Sequence, residues 1–122
     1  MGYRYIPLNE QLEIPILTKA LAEIPGLTIS DGHANDYTGG LTGRHPSLGR
    51  LLFTSKYMEW EIDGSRGRGV LSLQFVRQGA EKEQGAVNFL RQVCEGVGSP
   101  IKDEIYFEPI KFILSTNQYN RY

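Results

Sequence analysis

The sequence is poor in cysteine and has no long apolar run, and both absences exclude classes of protein. Cys94 is the only cysteine, so no disulfide can form within the chain. We also find no charged and then apolar leader at the start, which together with the single thiol predicts a cytoplasmic protein. No apolar run approaches the ~20 residues that a membrane-spanning helix needs, so we expect no membrane segment.

The sequence also lacks an excess of either charge. Its 13 Lys+Arg and 14 Asp+Glu give a formal net charge of −1, which argues against a protein whose whole surface attracts nucleic acid and leaves room for a local basic patch. From the sequence we therefore do not expect nucleic acid as a partner. Hydrophobic residues make up 40% of the 122 residues, which is enough for one core. We therefore predict a single domain over residues 1–122, with residues 117–122 as a flexible tail.

The apolar pattern predicts an α+β fold. Helical spacing runs over residues 15–24 and 81–97, whereas strand-like alternation occupies 27–30, 51–63 and the segment that follows Gly69. A last strand is predicted at 105–114, and residues 1–6 give only a weak strand signal before Pro7. The expected order is about α-β-β-β-α-β. An antiparallel sheet of about four strands, with both helices on one face, would form a two-layer sandwich.

The strongest part of this pattern is a hairpin formed by residues 51–63 and the strand after Gly69. Alternation places Trp60 on the inward face together with Leu52, Met58 and Ile62. We therefore assign Trp60 to the core rather than to a surface that stacks on a ligand. On the second helix, the predicted buried stripe is Val87, Leu90, Cys94 and Val97.

Residues 31–50 lack a clear strand or helix pattern and contain both histidines of the chain. A structureless stretch of this length is unusual in a compact domain, so we predict that it acts as a lid or an interface. His33, Asp36 and His45 could supply mixed nitrogen and oxygen ligands, and a metal-dependent enzyme built on them is one alternative function. No metal-binding motif supports it, so we assign no metal and no cofactor.

Two segments that combine glycine with arginine give the leading functional hypothesis. Arg44 follows Gly39-Gly40-Leu41-Thr42-Gly43, and Arg66 and Arg68 lie in Gly64-Ser65-Arg66-Gly67-Arg68-Gly69. Glycine lets backbone N–H groups approach a ligand, and a guanidinium binds oxyanions through two hydrogen bonds. We expect a non-enzymatic binding protein for a nucleotide or phosphate, with Arg44, Arg66, Arg68, His33 and His45 as ligand-binding residues.

Tyrosines provide a further alternative. Tyr57, Tyr106, Tyr119 and Tyr122 could form a surface of the kind that is enriched in protein interfaces. Such a surface would suit a homo-oligomer, or a protein-binding antagonist or accessory factor that acts through the sheet face and the tail. Cys94 is not favoured as a nucleophile, because its place on the apolar stripe is typical of an inert buried thiol.

Overall fold

The computed structural model shows one antiparallel sheet with two helices, an α+β fold. It describes residues 2–35, 40–62 and 64–100, of which residues 30–35 are described by their backbone alone. The elements follow each other as β1 (Gly2–Leu8), α1 (Ile14–Ala22), β2 (Thr28–Asn35), β3 (Gly40–His45), β4 (Gly49–Ile62), β5 (Ser65–Phe75), a short 3-10 helix (Ala80–Lys82) and α2 (Ala86–Val97).

The sheet has five strands in the order β1-β5-β4-β3-β2. Strands β2 to β5 follow one another as antiparallel neighbours, and β1 joins the sheet beside β5. The predicted α+β class and the antiparallel sheet are confirmed, with five strands rather than about four. Two of the five strands were not counted: β1, where the short run Tyr3 to Ile6 gave too weak a signal, and β3, which lies in the segment predicted to be structureless.

Both helices cover the same face of the sheet, which we call the helical face. Its core joins the buried residues Leu17 and Leu21 of α1 to Phe89 and Leu90 of α2. From the sheet, inward side chains on alternate positions complete this core: Ile6, Leu8, Leu41, Leu51, Phe53, Leu71, Leu73 and Phe75. The other side of the sheet, which we call the open face, carries the residues at the intervening positions.

A β-bulge in β4 changes which residues point inward. Tyr57 pairs with Gly69 and Trp60 with Gly67, so three residue steps on β4 match two on β5. Before the bulge Leu51 and Phe53 belong to the core between the helices and the sheet and Leu52 is only half-buried, so the prediction that Leu52 points into the core is wrong. Strict alternation cannot be extended across an inserted residue.

Trp60 itself is buried, with 3% of its surface exposed. It forms a second, smaller cluster with Val70, against which Tyr5, Met58 and Ile62 pack. The predicted association of Trp60 with Met58 and Ile62 is therefore confirmed. The cluster is separate from the core between the helices and the sheet.

Most of residues 31–50 belong to strands, which corrects the prediction of a long structureless loop. β2 runs to Asn35, β3 spans Gly40–His45 and β4 starts at Gly49, while residues 36–39 lie outside the described part. Gly43 is needed for packing rather than for flexibility, because a Cβ there would come within 3.0 Å of the Leu27 and Phe53 side chains. A small residue thus lets β3 lie under the core.

The second helix starts later than the pattern predicted. Residues 80–82 form a 3-10 turn, and α2 begins only at Ala86. Val87 is consequently exposed, and Phe89, Leu90, Val93 and Cys94 form most of the buried stripe. Gly98 ends α2 in the left-handed conformation with φ of 73°, as expected for a glycine after the last turn. The predicted strand 105–114 and the tail 117–122 lie outside the described residues.

Candidate functional site

Arg66 and Arg68 lie in a strand, not in a flexible loop. β5 starts at Ser65, and both arginines are paired with carboxylates. Arg68 donates to the Glu10 carboxylate at 2.9 Å, and this hydrogen bond raises the pKa of Arg68. Arg66 lies 3.8 Å from Glu61, and both side chains are mostly exposed. The sequence-based view of a glycine-rich loop open to an anion is therefore corrected.

The structure does not bring Arg44 together with these two arginines. Arg44 is directly opposite Arg50 on β4, whereas Arg66 is opposite Glu61 near the other end of that strand. Eleven positions of an extended strand correspond to roughly 30–35 Å. One small ligand cannot contact both groups, so the predicted set of ligand-binding residues does not form one site.

His45 points toward the helical layer. Its ring makes an edge contact with Phe89, with ring centres 5.2 Å apart, and its Nδ1 lies 3.2 Å from the Ser47 amide nitrogen and hydroxyl. Arg44 precedes it in the same strand and therefore points to the open face. The His33 side chain and Asp36 lie outside what the structure describes. Among the described residues, no three His, Cys, Asp or Glu side chains are grouped as metal ligands would be.

Arg44 and Arg50 form a like-charged pair on the open face. They are directly opposed across β3 and β4 on either side of a tight turn, in which Gly49 has φ of 79°. Opposed residues of antiparallel strands have Cα atoms roughly 4.5–5.5 Å apart, and like charges in this position destabilise a sheet. Neither arginine makes an ion pair with any residue that the structure describes.

Among the side chains that the structure describes, the rest of the open face carries no compensating charge up to the bulge. Up to the bulge, the open-face positions of β1, β3, β4 and β5 hold three cations, Arg44, Arg50 and Lys56, and no carboxylate. Two tyrosines, Tyr3 and Tyr5, lie on the same face of β1. The described acidic side chains lie in the helical layer, in the connection before α1, or in and beyond the bulge. The described part of the open face up to the bulge is therefore cationic and partly aromatic.

Sequence reasoning found Arg44 and missed Arg50. Arg50 belongs to the pair only because β3 and β4 are joined by the turn at residues 46–48, which sets their register. The segment Arg44-His45-Pro46-Ser47-Leu48-Gly49-Arg50 does contain a turn signal, Pro followed three residues later by Gly. That signal, together with the two arginines that flank it, could have predicted a hairpin with both guanidinium groups on one face.

Cys94 is positioned as an inert thiol. It lies on the buried stripe of α2, and this burial, with a smaller effect from Glu95, raises its pKa to about 12. The prediction that Cys94 lies on the apolar side of the second helix is confirmed. A thiol with this pKa carries almost no thiolate near neutral pH, so it does not serve as a nucleophile.

The described helices are too short or too polar to cross a bilayer. Comparison with known proteins gives no relative: no family model, no curated protein and no solved structure matches this chain.

Proposed function

We propose that this chain is a non-enzymatic binding protein for an anionic ligand, and that the ligand binds on the open face at Arg44 and Arg50. The observation that carries the proposal is the direct opposition of these two arginines, with no carboxylate among the described side chains beside them. A bound phosphate or carboxylate between the two guanidinium groups would relieve their repulsion and accept several charge-assisted hydrogen bonds. The ligand class remains that expected from the sequence, a nucleotide or phosphate.

The position of the pair suits a ligand from solution. Both arginines are exposed, and both are held at fixed separation by the β3–β4 register rather than by a flexible loop. Strand-borne side chains keep their spacing better than loop-borne ones, which reduces the ordering cost of binding.

Protein recognition through the same face is a second candidate, because Tyr3 is 41% exposed and Leu52 is half-buried on this face. The arginines restrict the kind of partner. A second copy of the chain offers these arginines no described carboxylate on its own open face up to the bulge, so a face-to-face dimer does not neutralise them there. A protein partner would therefore present an acidic surface, and we prefer a small anion because it requires no further contacts.

The test is a calorimetric titration with inorganic pyrophosphate and with ATP at low salt. Arg44→Thr and Arg50→Thr should each weaken binding about tenfold or more. The matched control is Arg66→Thr, which removes an arginine of β5 that lies opposite Glu61, near the far end of β4. Equal affinity in wild type and both pair variants, or a loss in the control alone, would overturn the proposal.

A second readout separates the pair's role from that of an ordinary surface charge. Without ligand, Arg44→Thr or Arg50→Thr should raise the melting temperature by about 1–4 °C, because a repulsive pair is removed and threonine favours strands. A variant that is both more stable and weaker in binding would identify a site kept for function. A fall in melting temperature would show that the pair is structural.

A further inference from the structure

We infer that the anion bound on the open face is single-stranded nucleic acid, an inference that rests on the proposed function and names its ligand. The cationic positions extend farther than one phosphate can reach. Arg50 and Lys56 lie on the same face of β4, six positions apart, which corresponds to ~20 Å along the strand. A ligand that contacts both must carry several negative charges in a row.

The third cation, Lys56, is available for contact with a ligand. Lys56 is exposed and makes no ion pair with a described residue. It is opposite Val70, which is apolar, so no carboxylate faces it across the β4–β5 ladder. The Arg44–Arg50 pair and Lys56 therefore lie on one line of positive charge along β4.

Aromatic side chains lie beside this line. Tyr3 is in the same row as Leu52, with Gln74 between them, and Tyr5 is in the same row as Thr54, with Ser72 between them. Two strand spacings separate β1 from β4, which places the tyrosines ~10 Å to the side of the cations. Phosphates along β4 and bases over β1 would match this arrangement.

Such a pairing of positive charge with aromatic faces is how sequence-tolerant single-strand binders work. Bases stack on aromatic rings and the backbone follows a positively charged groove. The net charge of −1 does not oppose this, because the described acidic residues lie in the helical layer, before α1, or in and beyond the bulge, and the field near the Arg44–Arg50 pair and Lys56 is set by these cations. A duplex hides its base faces and would leave the tyrosines unused.

The probe is a fluorescein-labelled (dT)12 oligonucleotide, followed by anisotropy at several salt concentrations, with (rU)12 in parallel. With three phosphate contacts, the logarithm of the association constant should fall with the logarithm of salt concentration with a slope of about −2. Arg50→Thr or Lys56→Thr should each reduce that slope by about 0.7. Arg91→Thr, on the exposed side of α2, is the charge control and should leave the slope unchanged.

Tyr3 tests the base contact. Tyr3→Leu should weaken (dT)12 binding about tenfold and leave pyrophosphate binding unchanged, whereas Tyr3→Phe should retain the affinity. Tyr57, also exposed but beside the bulge, supplies the control Tyr57→Leu. Circular dichroism melts show whether each variant is folded.

Four results would overturn the inference. The first is tighter binding of a 12-base-pair duplex than of (dT)12, and the second is binding of inorganic polyphosphate as tight as that of (dT)12, with no effect of Tyr3→Leu. The third is binding of an acidic protein surface instead of (dT)12. The fourth is binding of pyrophosphate with no higher affinity for (dT)12. In the last case the proposed anion site stands and only its ligand is wrong. If neither pyrophosphate nor (dT)12 binds, both proposals fail.

Discussion

Replacing Trp60 tests the second cluster and its polar contacts. The indole is 3% exposed, and its N–H lies 2.8 Å from the Leu8 carbonyl oxygen and 2.9 Å from that of Gly69. These two acceptors belong to residues paired across β1 and β5. Trp60 therefore ties β4 to a strand that is not its neighbour, and its loss should affect the attachment of β1.

The expected cost of Trp60→Ala is about 3–5 kcal/mol of unfolding free energy. A buried aromatic side chain removes roughly 150–250 Å² from water, and at ~25 cal/mol per Å² this corresponds to ~4–6 kcal/mol before any relaxation. The smaller cluster, formed with Val70, can partly collapse, which brings the figure into the range seen for large-to-small changes. Trp60→Phe keeps most of the apolar contact and leaves both carbonyls without this donor, so we expect ~1–3 kcal/mol.

Urea unfolding followed by far-UV circular dichroism measures both costs, since Trp60 is the only tryptophan and fluorescence is lost in the variants. Tyr57→Ala, an exposed aromatic on the same strand, is the control and should change stability little. If Trp60→Ala cost less than ~1 kcal/mol, the indole would not be buried as described. If Trp60→Phe matched the wild type, the two carbonyls would not depend on its N–H.

Two further changes test packing and burial elsewhere. Gly67→Ala should destabilise the fold by about 2–3 kcal/mol, because the added Cβ would lie 2.5 Å from Trp60 Cζ2. Gly96→Ala, in α2 with only ordinary contacts around it, should stabilise the fold by about 0.5–1 kcal/mol. Thermal melts measure both changes, and effects of the opposite signs would contradict the described packing. The Cys94 thiol has a folded-state pKa of about 12 against an ordinary value of 9.0. Unfolding therefore releases a proton above pH 9, so the free energy of unfolding should fall between pH 9 and 12. In urea titrations Cys94→Ala should show a shallower fall of this free energy with pH. Equal falls in the variant and the wild type would refute the raised pKa of Cys94.

An element of the fold could be predicted where the pattern of residues within its own segment determines it, and not where contacts with residues distant in sequence do. The β4–β5 hairpin and both helices followed from periodicity, since Leu71, Leu73 and Phe75 alternate cleanly and helical spacing marks Leu17 and Leu21. The start of β2 was predicted at 27–30, but its continuation to Asn35 and the whole of β3 were missed because their glycines and polar residues resemble a loop. Gly43 shows the reason: its lack of a side chain is a packing requirement set by Leu27 and Phe53, which are distant in sequence.

The candidate site depended even more on register. Arg44 and Arg50 appear in the sequence as two surface arginines, and only the pairing of β3 with β4 makes them opposed. In the same way, nothing near Arg68 in the sequence indicates that Glu10 neutralises it. Residue type predicted the chemistry, cationic binding of an anion, but strand pairing decided which cations are available for it.

The position of β1 has a consequence for how the protein is made. Ile6 pairs with Leu71, so β1 leaves the ribosome before its partner β5 has been synthesised. Strands β2 to β5 need only short turns to meet, and such local pairings form first. In the newly made chain β1 is therefore unpaired until β5 emerges, a state in which exposed edges favour aggregation. Arg44 and Arg50 become opposed when β3 and β4 pair, whereas Tyr3 joins the open face only when β1 pairs with β5. The cationic part of the open face therefore forms before its aromatic part.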